Sequence, residues 1–131
     1  MISGYFYFQN RTKLHTHYFS DSVIHYESFL SGNLAPPVSH FIRRDFAIKI
    51  SGFDTELKAC EDWDYWIRVA KLGAKIYSIS EILVGYRYVA YSMSRNPRLM
   101  YEALTEVSRR AGLPDFRLPK DAPYNQSFPL D

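Results

Sequence analysis

Apolar and polar residues along the chain follow two periods, and each marks a different kind of element. Residues 4–9 (Gly-Tyr-Phe-Tyr-Phe-Gln) read as a short aromatic strand. Polar residues 10–13 follow, then a mixed segment over 14–26, with a second strand candidate at 22–26. His15 and His17 are spaced as neighbours on one face of a strand. Residues 27–30 suit one helical turn that stops at Ser31-Gly32-Asn33, a turn-forming triplet. Pro36-Pro37 imposes extended geometry on Ala35 and on the prolines themselves. Residues 38–42 read as a buried strand, and Arg43-Arg44-Asp45 leads into a short helix reaching about Lys49.

Beyond the Ser51-Gly52-Phe53-Asp54 loop the helical period is clear. Residues 61–72 predict a helix that Gly73 terminates. Residues 74–79 and 82–89 predict two strands around a turn at Ser80-Glu81. Asn96-Pro97 has the form of an N-cap followed by proline at the first helical position. The helix it opens places Met100, Leu104 and Val107 on one face, and Gly112 closes it. Past Leu113 the pattern stops: Pro114, Pro119, Pro123 and Pro129 interrupt a segment without periodicity. The organisation expected is one compact domain over 1–112 and a Pro-rich extended tail over 113–131. There is no internal repeat.

Composition narrows this picture. Hydrophobic residues are 47% and charged residues 23% of the 131, a globular balance. A net charge of +2 with scattered Lys and Arg gives no electrostatic footprint for nucleic acid. Cys60 is the only cysteine, so no intramolecular disulfide forms and any zinc would depend on His and carboxylates. No apolar run approaches the ~18–20 residues that span a bilayer, and the N-terminus lacks the basic-then-apolar pattern of a signal peptide. Aromatics reach 17%, enough to supply either core packing or stacking surfaces for sugar rings.

The chemistry concentrates in Cys60-Glu61-Asp62-Trp63-Asp64-Tyr65-Trp66-Ile67-Arg68. On a helical wheel Glu61, Asp64, Arg68 and Lys71 share a polar arc, with Asp64 and Arg68 an i,i+4 pair. Trp63, Trp66, Ile67, Val69 and Ala70 form the apolar arc, and Asp62 falls within it. Two roles fit an acid there. As an N-cap it accepts backbone N–H bonds at the helix start. Facing a cleft beside aromatic walls, it is desolvated, its pKa rises, and it is suited to take a proton.

Gly32-Asn33 and Pro36-Pro37, then Arg43-Arg44, Gly52-Phe53-Asp54, Glu61-Asp62-Trp63-Asp64, Arg68, Tyr86-Arg87 and Ser92-x-Ser94 together resemble family 2 glycosyltransferases. The order and spacing match the second half of the GT-A domain from about Gly32 to Ser94. The resemblance implies an α/β fold, a partial GT-A mixed sheet flanked by helices. It implies inverting transfer of a sugar from a nucleotide sugar to an acceptor hydroxyl, with Asp62 as general base. Glu61 and Asp64 then flank the acceptor site, Trp63 and Trp66 wall it or pack beneath it, and Gly52, Phe53 and Asp54 shape the loop before the helix. Arg68 and Arg87 are assigned to structure or to donor phosphate.

The same resemblance implies Mn²⁺ or Mg²⁺ in the complete enzyme, held by an Asp-x-Asp at the end of a buried strand. That motif belongs to a donor-binding half that this sequence is expected to lack, so activity in isolation is not expected. Asp62-Trp63-Asp64 spells the motif in the wrong setting, after polar residues and at a helix start, so no metal residues are assigned. Val89 stands where many relatives carry His, and Ser51-Gly52 replaces a double glycine. The partners implied are a nucleotide sugar donor and a carbohydrate or lipid-linked acceptor, in the cytoplasm or peripheral to the membrane. Two rivals stand beside this reading. One is a non-catalytic carbohydrate-binding or assembly module that retains the fold. The other is association with a partner chain or a second copy through an exposed sheet edge.

Overall fold

The computed structural model describes residues 1–113, and the Pro-rich segment expected beyond them lies outside the described residues. Strand β1 (Ile2–Gln9) and strand β2 (Thr12–His17) form an antiparallel hairpin. Asn10 and Arg11 both take positive φ, 45° and 70°, as two-residue hairpin turns demand. The aromatic strand thus begins two residues before its sequence expectation. The polar residues 10–13 supply the turn and the start of β2, which carries His15 and His17 as alternation suggested.

Strand β3 (Ser22–Ile24) is short, and helix α1 (Tyr26–Leu30) is a little over one turn. The run 38–42 does not form the expected strand. Pro37–Ser39 make a single 3₁₀ turn, and one isolated bridge joins His40 to Ile2. Pro36 and Pro37 start that turn, and Val38 and Phe41 are left 51% and 48% exposed. Helix α2 (Arg44–Ile50) follows, then α3 (Glu61–Lys71), strand β4 (Ile76–Arg87) and helix α4 (Pro97–Arg110).

β4 corrects a second expectation. Residues 74–89 contain one twelve-residue strand rather than two. Ser80-Glu81 does not turn the chain. Instead the pairing of β4 with β1 slips around Gly4, between the Ile2–Ser78 and Tyr5–Val84 pairs. A Cβ on Gly4 would sit 3.1 Å from the carbonyl oxygens of Glu81 and His17, so the irregularity needs a residue without a side chain.

The sheet order is β2-β1-β4-β3, with β1 and β4 parallel and both outer pairs antiparallel. The fold is a mixed α/β arrangement of this sheet and helices. Alternation along β1 turns Tyr5 and Tyr7 toward the core. Phe6 and Phe8 face the other way, with Lys13 over the Phe6 ring and Arg87 over the Phe8 ring. The core joins Ile2, Tyr5 and Ile76 from the sheet to Phe29, Trp63, Trp66, Ile67, Val69 and the α4 stripe Met100, Ala103, Leu104 and Val107. Asn96 caps α4 through the Leu99 N–H at 3.1 Å, as the Asn-Pro pair predicts.

Candidate functional site

Helix α3 starts where its acids are most easily held. Cys60 occupies the N-cap position with φ 57° and contributes no side-chain cap. Asp62 therefore lies at the second helical position, not at the N-cap. It still meets orphan donors of the helix start: its Oδ1 accepts the Trp63 backbone N–H at 2.8 Å. Its Oδ2 accepts Nδ2 of Asn33 at 2.8 Å, from the loop between α1 and the Pro36-Pro37 turn.

Asp62 thus serves the helix end from the second helical position while sitting in a partly buried position. Burial pushes its carboxyl above the ordinary value. The Asn33 and Trp63 bonds pull in the opposite direction, and Glu61 pushes upward again. Burial, then Asp62 and Glu61, push the neighbouring Cys60 thiol up to about 12, so it stays protonated and unreactive.

Tyr86, near the end of β4, completes the surroundings. Burial raises its phenol, and the charges of Tyr7, Asp62 and Glu61 add to the effect. Tyr7 meets Tyr86 edge to face, with centroids 5.4 Å apart. Asp62, Glu61, Asn33 and Tyr86 are therefore the polar groups gathered at the head of α3. Asn33 and Tyr86 were legible only as motif letters. Asn33 is joined to Asp62 across 29 positions of sequence, and no local period reports such a contact.

The remaining predicted residues perform other tasks. Trp63 is fully buried, and its Nε1 donates to the Phe29 carbonyl at 2.6 Å, fixing α3 to α1. Trp66 is also buried and stacks on His40 at 4.1 Å between centroids, 10° from parallel. Both indoles pack beneath the helix. Burial drives the His40 pKa down to about 4, against an opposing bond to the Pro36 carbonyl. That ring is neutral at pH 7.

Asp64 and Arg68 make the expected pair at 2.8 Å, but Asp64 is only 7% exposed rather than on an open polar face. Arg68 also donates to the carbonyls of Ile50 at 2.9 Å and Gly52 at 3.1 Å. It closes the end of α2 and fixes the following loop, with three of its five N–H donors used on protein. Ser51 and Gly52 both take positive φ there, 62° and 79°. Phe53 leans on Tyr65 at 4.8 Å, and Asp54 pairs with Arg110 of α4 at 2.6 Å. Arg87 rests over Phe8, away from these groups.

The residues split into two places. Asp62 and Glu61 stand at the α3 head, while Asp54, Asp64 and Arg68 line a cavity of about 230 Å³ between α3 and the end of α4. A smaller cavity of about 110 Å³ lies beside His40, Trp66, Phe46 and Ile76. Asp62 lines neither of them.

In the Asp62-Trp63-Asp64 triplet most of the carboxylate oxygens are engaged by protein donors. Both Asp62 oxygens accept N–H donors, and Asp64 Oδ2 is held by Arg68. Among the described residues no three His, Cys, Asp or Glu side chains converge on one point. Nor is any described helix long and apolar enough to cross a membrane. No protein-family model matches the sequence, and comparison with curated proteins and with solved structures gives no significant match.

Proposed function

We propose that this chain supplies the acceptor side of an inverting glycosyl transfer, with Asp62 as the general base. The observation that carries the reading is the state of Asp62. It is a partly buried carboxylate at a helix start, held by one N–H on each oxygen, with its pKa raised toward that of a useful base. In this reading an acceptor hydroxyl lies against Asp62, with Glu61 and Tyr86 beside it. Asp62 takes the hydroxyl proton as the oxygen attacks the anomeric carbon, and the nucleoside diphosphate leaves from the opposite face. A positioned base of this kind contributes about 10²- to 10⁴-fold to rate. The nucleotide-sugar contacts come from outside the described residues.

The reading rests on the ordered motifs from Gly32 to Ser94 together with this geometry. A non-catalytic carbohydrate-binding or assembly module is the alternative: both tryptophans are buried, while Tyr18, Phe53 and Tyr91 remain exposed as stacking surfaces. Calorimetry with methyl glycosides and, separately, nucleotide sugars with and without Mn²⁺ tests the proposal. The expected result is weak, saturable glycoside binding and no metal-dependent nucleotide-sugar binding. Nucleotide-sugar binding without glycoside binding would put a donor site on this chain and overturn the acceptor-side assignment.

A further inference from the structure

The Asn33 side chain has one polar end used and one unused. Its Nδ2 donates to Asp62 Oδ2, while its Oδ1 is buried and has no hydrogen-bond partner among the described residues. A buried acceptor left unpaired is costly, so its placement against the carboxyl of Asp62 calls for a reason. Asp62 Oδ1 is already fixed by the Trp63 N–H, which leaves Oδ2 as the oxygen that faces Asn33. An ionised Oδ2 needs a donor opposite it, and a protonated Oδ2–H needs an acceptor. The primary amide carries both, related by a half-turn about its terminal bond.

We propose that Asn33 is the positioning residue of Asp62 and holds it in both protonation states by turning its amide. This rests on the reading of Asp62 as a base. When Asp62 is ionised, Nδ2–H donates to Oδ2. When a proton passes from a hydroxyl oxygen to Oδ2, the amide turns and Oδ1 accepts the new O–H. The carboxyl keeps its orientation through the cycle, and the unpaired Oδ1 gains its partner in the protonated state. The other groups acting on this pair are Glu61 and Cys60 on the α3 start and Tyr86 on β4. The tyrosine and the thiol remain neutral where Asp62 titrates, and Glu61 contributes a charge of the same sign.

The test needs no sugar, so it separates this proposal from the transferase reading. In the ¹⁵N,¹³C-labelled chain, the Asn33 side-chain NH₂ resonances are followed against pH together with the Asp62 carboxyl carbon. The expected result is that the NH₂ signals move upfield below the Asp62 midpoint, as they lose the carboxylate, with the same midpoint. Asn33→Leu, similar in shape and without polar atoms, shifts the Asp62 midpoint, and Asn33→Ser, whose hydroxyl both donates and accepts, restores it toward wild type. NH₂ signals indifferent to the Asp62 midpoint overturn the proposal, even where a variant fails to fold. An Asp62 midpoint unmoved in folded Asn33→Leu overturns it as well. Amide signals that track Asp62 in a chain that binds no glycoside would leave Asn33 in this role and remove the transferase reading.

Discussion

Asp62 carries one N–H donor on each oxygen and still titrates above the ordinary carboxylate value, because burial outweighs those bonds. The sign of its effect on stability follows. Between the unfolded and folded values the folded chain holds more protons, so the contribution of Asp62 falls as pH rises through that window. Asp62→Asn removes the titration. The variant should gain stability relative to wild type as pH rises from below the ordinary Asp value to neutrality, measured by urea unfolding across that range. A stability difference independent of pH would contradict the raised value. Trp63 is a different case: it is fully buried and bonded to the Phe29 carbonyl. Trp63→Ala should cost about 3–5 kcal/mol, read from the same unfolding curves. The sequence showed Asp62 as an acid on an apolar arc, and its partly buried position accords with that anomaly. Its contact with Asn33 was not legible, since it spans two segments that only the fold brings together.

Helix α3 is fixed by three side chains that reach three neighbours. Trp63 reaches α1, Asp62 reaches the loop after it, and Arg68 reaches the end of α2. Arg68→Ala would leave Asp64 buried without its counter-charge and free two carbonyls at the α2 end. Loss of about 1–3 kcal/mol is expected for leaving the partly buried Asp64 carboxylate and these carbonyls without their donor, and a loss under about 0.5 kcal/mol, the size of an ordinary surface change, would contradict the structural role given to Arg68. Among the strands, Gly4 accommodates the slip between β1 and β4. Gly4→Val should destabilise by about 1–3 kcal/mol through overpacking, with amide exchange faster in β4 around Ile82. Helices were the legible elements: Asn96-Pro97, Gly73 and the apolar arcs mark α3 and α4 by local chemistry. The strands were less so. Ser80-Glu81 resembles a turn but lies within β4, and 38–42 was read as a strand although Pro36 and Pro37 draw Val38 and Ser39 into a 3₁₀ turn.

Considered as one body, the sheet is unevenly covered. β3 pairs only with Ile76, Tyr77 and Ser78, whereas β1 follows β4 on its other side as far as Arg87. Among the described residues, the upper part of β4 has no strand on the β3 side. Leu83 beside that edge and Val89 and Tyr91 just beyond it are exposed. An open edge with apolar neighbours favours pairing with another chain. Sedimentation velocity should therefore show self-association that grows with concentration, and a monodisperse monomer at high concentration would count against it. The α/β class was legible from alternating strand and helix periods. Sheet order was not, because parallel pairing of β1 with β4 joins residues more than seventy positions apart.

The account of Asp62 as a base depends first on its carboxyl being harder to ionise in the folded chain than in water. A ¹³C NMR titration of the Asp62 carboxyl carbon in the folded protein measures that directly. A midpoint above the ordinary value of 3.8 is the predicted result. A midpoint at or below 3.8 would mean that the Asn33 and Trp63 bonds dominate, leaving Asp62 a helix-end fastener and not the base of a transfer reaction.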